Sequence, residues 1–315
     1  MNRGVLADWH ERSSIRTASK RQLTRDDFEQ GAAICFPEEL APWIQHPAVS
    51  SLGPGVKRAA LAQQLFSYLN FTDRLEHEVV NQTVRRIATG ASGFRYPAQT
   101  RLDAYKIYCD EAYHSLFSAD IAMQIQEFSG FVFCRGAGHP GLDFFHKTSA
   151  ALPPESRSWF ELLFVTVSET LVSGSLERIP KSPQVLRAVR EMAADHLNDE
   201  IRHHGFFAHF FRLAWPQIPV AFQTELGRLL PQCILSFLGP DAPAIRAFLS
   251  MHLSNGKTGD VLEDTYTTDA LLAAARSASA ATRRILKETG VFELSAIHDA
   301  FLEAGLEGFK VAGGN

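Results

Sequence analysis

The sequence predicts an all-α protein built on a bundle of four long helices, and three observations predict it. Pro and Gly punctuate the chain into four long runs between Val56 and Ala214, apolar residues recur in those runs at steps of three and four, and period-two alternation is absent beyond a few residues. With 315 residues, 45% of them apolar and 23 of them Phe, the chain can fill one large core. We read residues 1–30 as a polar, loosely attached N-terminal arm. Residues 31–315 read as a single domain whose body begins near Phe36-Pro37 and whose core bundle spans about residues 56–215.

The first run, Val56 to Thr89, follows a turn at Gly53-Pro-Gly55-Val-Lys57 and stops at Gly90-Ala-Ser-Gly93. That turn is too short for a phosphate loop, and no GxGxxG follows a strand. The second run covers about Arg101 to Ser129. Gly130 to Pro154, with Gly136, Gly138, Pro140, Gly141 and Pro153-Pro154, reads as a long connection. The third run goes from Glu155 to Leu176 and the fourth from Ser182 to Ala214, closed by Trp215-Pro216. Links that are short, long and short match a ferritin-like four-helix bundle, in which one crossover spans the bundle. Additional C-terminal helices are expected near 217–231, 242–253, 267–288 and 293–305, packed around it.

Composition narrows the function. The net charge is −4 with both signs well mixed, so nothing marks a surface for nucleic acid or anionic membrane. The N-terminus lacks the apolar stretch of a signal peptide and no apolar run would span a bilayer, which leads us to expect a cytoplasmic protein. Cys35, Cys109, Cys134 and Cys233 are far apart and form no CxxC, against zinc ribbons, iron–sulfur clusters and a disulfide frame. Each is expected as a buried apolar side chain.

The chemistry sits in a repeat. Asp110-Glu111-Ala112-Tyr113-His114 lies in the second run and Asp199-Glu200-Ile201-Arg202-His203 in the fourth. Glu and His three apart share a helical face, so each pair can serve one ion. With this composition DExxH should occur by chance only about 0.04 times, and it occurs twice. Glu76 lies 35 residues before Glu111 and Glu169 lies 31 before Glu200, so each half offers a lone Glu and then Glu-x-x-His, as a two-metal carboxylate bundle requires.

Register agrees. Leu65, Leu69, Thr72, Glu76, Val80 and Thr83 form one stripe; Ala104, Ile107, Glu111, His114, Ser118 and Ile121 another; Leu162, Val165, Glu169, Val172 and Leu176 a third. In the fourth run Val185, Val189, Met192, His196, Glu200, His203, Phe207 and Phe210 put three ionisable residues on the core face. Glu78 rivals Glu76, but its register partners Arg74, Gln82 and Arg85 are polar, so Glu76 is preferred. His77, His204 and His209 fall off the stripes. Ionised groups leave water only when paired or bound to metal, so four Glu and three His on one interior imply cations. Carboxylate and imidazole without thiolate suit iron or manganese. Asp110 and Asp199 are natural acceptors for the ring N–H of the ligating His, each reaching the other helix.

These residues resemble the diiron N-oxygenase family that includes the p-aminobenzoate N-oxygenase of the aureothin pathway and the arylamine oxygenase of the chloramphenicol pathway. The likeness covers about residues 60–215: a Glu, a spacer (33 residues here, then 29), DExxH, twice over, with an extra His four before the second DExxH glutamate. The resemblance implies that Glu76, Glu111, His114, Glu169, His196, Glu200 and His203 hold two Fe ions. It implies O2 as co-substrate, an external electron donor, a homodimer, and N-oxygenation of a small amine or amino-acid-derived substrate to hydroxylamine, nitroso or nitro products in specialised metabolism. Phe206-Phe207 and Phe210-Phe211 read first as plain core, with part of the substrate pocket as the alternative. The alternatives are a diiron C–H hydroxylase or desaturase, with a radical at Tyr113, and a non-enzymatic iron-binding ferritin-like protein.

Overall fold

The computed structural model describes residues 4–29, 33–136, 138–171 and 176–306. The first bundle helix opens with Pro54 at its first position, where a missing N–H breaks no hydrogen bond. It runs as Pro54–Leu75, a π-helical turn Glu76–Val80 and Asn81–Thr89, and closes on Gly90 at φ 78°. The second bundle helix, Ala98–Ser129, closes on Gly130 at φ 71°. The third is Pro154–Leu171 and the fourth Arg187–Ala214. First packs on second, third on fourth, and second meets fourth through the middle, which gives the ferritin-like arrangement of two facing helix pairs. No strand is present among the described residues, and the one isolated bridge joins Ile34 to Val185.

That bridge explains why the fourth helix starts at Arg187 rather than Ser182. The Ile34 N–H donates to the Gln184 carbonyl and the Leu186 N–H to the Ile34 carbonyl, both at 2.9 Å, which keeps this backbone extended. The long connection also differs from expectation, because it carries a helix, Pro140–Ala151. Pro140 stands at N1 and His139 Nδ1 accepts the Gly141 N–H at 3.1 Å, so the Pro-Gly pair starts a helix instead of breaking one. Val172 lies outside the described residues.

The C-terminal layer is more finely divided than the runs suggested: Val220–Gly227, Leu230–Leu238, Ala242–Leu249, Asn255–Thr265, Thr268–Ala278, Ala280–Glu288 and Ser295–Glu303. Helix Leu230–Leu238 packs on both Pro140–Ala151 and the third bundle helix, so this layer and the crossover cover one flank together.

Buried apolar residues form two clusters. One holds Leu75, Val79, Ile107, Val167 and Phe206; the other holds Leu69, Phe117, Ile121, Leu176, Met192 and Ala193. On the second and fourth bundle helices the carboxylates and imidazoles of interest fall between the two, whereas Glu76 and Glu169 sit among residues of the first cluster. No helix among the described residues is long and apolar enough to cross a membrane.

Two expectations are corrected. The N-terminal segment is not loosely attached: Leu6, Trp9, Ser13, Ser14 and Leu23 are buried against the bundle. Its polarity misled because its serines face buried carboxylates instead of water. Of the cysteines, Cys35 and Cys233 are buried, but Cys109 is exposed and Cys134 only partly covered. Cys109 sits off the inward stripe of the second helix, and Cys134 lies in the loop after it.

Candidate metal centre

Each bundle helix sends at least one carboxylate inward. Glu76, Glu111, His114, Glu169, His196, Glu200 and His203 are all buried, and the structure brings six of them together, with Glu169 beside His203. The stripes do this: steps of three and four place Glu111 above His114, and His196 above Glu200 and His203. Glu76 opens the π turn, in which Glu76, Val79 and Val80 are all buried.

The distances define two overlapping groups. Donor atoms of Glu76, His114, His196 and Glu200 lie within 4.8 Å of one another, and so do those of Glu111, His114, Glu200 and His203. His196 Nε2 is 3.1 Å from Glu76 Oε1 and 3.3 Å from Glu200 Oε1. His114 Nδ1 is 3.3 Å from Glu111 Oε2, and His203 Nδ1 is 2.9 Å from Glu111 Oε1, so the two oxygens of Glu111 face different imidazoles. Glu200 Oε1 stands 3.3–3.4 Å from all three rings. Glu169 stands further back, its Oε2 3.9 Å from His203 Nδ1.

Close approach without hydrogen bonding identifies what this cluster suits. Glu76 Oε2, Glu111 Oε1, Glu169 Oε2, Glu200 Oε2, His196 Nε2 and His203 Nδ1 are buried with no hydrogen-bond partner. Orphaned buried polar atoms are costly, and this many in one place is not a structural accident. Two ligand atoms about 2.1 Å from one ion at octahedral angles stand about 3 Å apart, close to the spacings here. Four carboxylates with neutral imidazoles also match the charge of two divalent cations. The residues therefore fit a dinuclear site.

Two aspartates fix the imidazoles. His114 Nε2 lies 3.2 Å from Asp199 Oδ2 and His203 Nε2 lies 3.2 Å from Asp110 Oδ2, each pair crossing between the second and fourth helices. A ring that donates Nε2–H presents its Nδ1 lone pair to the cluster.

In the metal-free protein the charges strain against each other. Burial, then repulsion from Glu200 and Glu111, pushes Glu169 well above the usual carboxylate range. Burial also raises Glu76, although His114 and His196 pull it down. Burial acts the same way on Glu200, but the His203 charge and the close approach of the His196 and His203 rings outweigh it and hold Glu200 well below that range.

The other sequence candidates separate cleanly. Glu78 is half-buried, 2.9 Å from Arg74 Nε and 3.0 Å from His146 Nε2, and faces away from the cluster. His77 and His209 are exposed and His204 is partly covered. Phe206, Phe207, Phe210 and Phe211 are buried core residues and line neither described cavity. Tyr113 lines a cavity of about 160 Å³ with Lys20, Phe117 and Met192.

Sequence reasoning missed Tyr68. Its hydroxyl is buried with no hydrogen-bond partner, and burial first, then the Glu76 charge, pushes its pKa up. The available signal was spacing: Tyr68 stands eight residues before Glu76, about two turns back on the same face.

No curated protein matches this chain. A sequence model described as P-aminobenzoate N-oxygenase AurF matches residues 20–290, which take in all four bundle helices and most of the C-terminal layer. The chain belongs to the p-aminobenzoate N-oxygenase AurF family.

Proposed function

We propose that this protein is a diiron N-oxygenase that uses O2 to oxidise the nitrogen of a small amine or amino-acid-derived substrate to a hydroxylamine, nitroso or nitro product. The observation that carries this reading is the buried set of orphaned carboxylate and imidazole atoms, in a chain whose family is diiron-dependent. Glu76, His114 and His196 would hold one iron and Glu169 and His203 the other, with Glu111 and Glu200 between them. The bound irons supply O2 activation.

The chain's own residues do the rest. Asp110 and Asp199 hold His203 and His114 with Nδ1 turned inward. The two apolar clusters packed around these side chains exclude water from them. Tyr68 keeps its proton next to Glu76 and so offers an O–H to a group bound beside that carboxylate. The reading carries with it an external electron donor, a homodimer and a cytoplasmic setting.

The test is product analysis. Iron-loaded, reduced protein exposed to O2 and a panel of amines is expected to yield N-oxygenated products by mass spectrometry. Carbon-oxidised products alone would select a hydroxylase or desaturase, and iron uptake far above two per chain would select storage.

A further inference from the structure

The N-terminal segment reaches both aspartates that hold the imidazoles. Trp9 Nε1–H donates to Asp110 Oδ2 at 2.8 Å and to Oδ1 at 2.9 Å, and Ser13 Oγ–H donates to Asp110 Oδ1 at 2.5 Å. The next residue turns the other way. Ser14 gives its backbone N–H to both oxygens of Asp199 at 3.2 Å, and its hydroxyl donates to Oδ2. Neighbouring serines thus hold carboxylates on two different bundle helices, and each carboxylate holds one imidazole of the cluster.

The segment is anchored on both sides of this point. Lys106 Nζ donates to the Leu6 carbonyl at 2.8 Å, and the Leu23 N–H donates to Gln124 Oε1 at 2.8 Å. With the segment docked Asp110 and Asp199 have no exposed surface, so water does not replace a donor removed from it. Without it Asp110 would keep only His203, and Asp199 would keep His114 and Arg202. An under-bonded buried carboxylate rotates toward other donors, and that frees the ring it orients.

We infer that Trp9, Ser13 and Ser14 form a clasp that positions His203 and His114 for metal, so that docking of the N-terminal segment and filling of the dinuclear centre stabilise each other. The inference rests on the metal centre of the proposed function but not on its substrate. Coupling of this kind is reciprocal: what the clasp adds to metal affinity, metal adds to clasp docking.

The test uses the full-length chain and Co2+, whose visible ligand-field bands report on coordination. Trp9→Phe keeps an aromatic ring without the N–H, and Ser13→Ala with Ser14→Ala removes both hydroxyls. Each variant is expected to bind Co2+ about tenfold or more weakly, with altered bands, and Ser→Thr at either position should restore most of the affinity. Hydrogen exchange on the unmutated chain provides a readout that needs no variant to fold: the amides of residues 9–17 should become more protected when Co2+ is added. Unchanged affinity and bands in the variants, or exchange in this segment indifferent to Co2+, would overturn the clasp and leave the metal centre standing. A wild-type chain that takes up no Co2+ would overturn both.

Discussion

His114 on the second bundle helix and Asp199 on the fourth lie 3.2 Å apart, Nε2 to Oδ2, with neither exposed to solvent. The contact fixes which nitrogen of the ring faces the cluster. His203 and Asp110 repeat it in the opposite direction, so each half of the repeat orients the imidazole of the other.

The first prediction follows from that exchange. Asp110→Asn or Asp199→Asn replaces a carboxylate acceptor with an amide that also carries N–H, so the ring loses its partner charge. Metal affinity is expected to fall about 10–100-fold with helical content intact, measured by competition against a chromophoric chelator. Unchanged affinity in both variants would contradict the orienting role.

Glu76 and Glu78 should part company. Glu76→Ala is expected to remove one metal from the purified protein. Glu78→Ala should leave metal content alone and lose an i,i+4 pair with Arg74, worth about 0.3–0.5 kcal/mol, together with the exposed contact to His146. Metal analysis and a urea titration of each variant check this, and the reverse pattern would assign the ligand to Glu78.

Glu169 gives a pH prediction for the metal-free chain. Its pKa lies well above the ordinary 4.5 when folded, so its contribution to stability is fully present below that value and lost as pH rises through the folded one. Metal-free Glu169→Gln escapes that loss. It should resist urea better than the metal-free wild type at neutral pH, with the gap closing toward pH 4.5, and the order should reverse when metal is added. A variant less stable than wild type in both states would contradict the strained carboxylate.

His139 titrates in the opposite sense. Burial lowers it from 6.5 to about 3, and its Nδ1 caps helix Pro140–Ala151. Its contribution is present above pH 6.5 and lost as pH falls toward 3, at a slope of about 1.4 kcal/mol per pH unit. His139→Asn keeps an N-cap acceptor without the titration. It should flatten the decline of urea midpoint between pH 7 and pH 5, and an unchanged decline would remove His139 as its source.

What could be read from sequence tracks what is local. The stripes through Glu111, His114, His196, Glu200 and His203 depend only on helical period, and the four bundle helices follow from where Pro and Gly fall. The π turn at Glu76 left no mark, because no Pro or Gly produces it and packing selects it. Trp9, Ser13 and Ser14 were invisible for another reason: their partners lie 97 to 185 residues away, and a segment that docks through hydrogen bonds has no apolar period to detect. The helix after His139 was overlooked because Pro140-Gly141 was read as a break, although Pro at a first helical position is a start signal.

The central claim is that seven buried side chains hold a pair of irons. Elemental analysis of anaerobically iron-loaded protein, with Mössbauer spectroscopy on the same sample, tests it most directly. The account predicts two irons per chain in a coupled pair, lost in Glu111→Ala and His203→Ala while the helical circular dichroism persists. Iron absent from the wild type, or bound equally well by both variants, would contradict it.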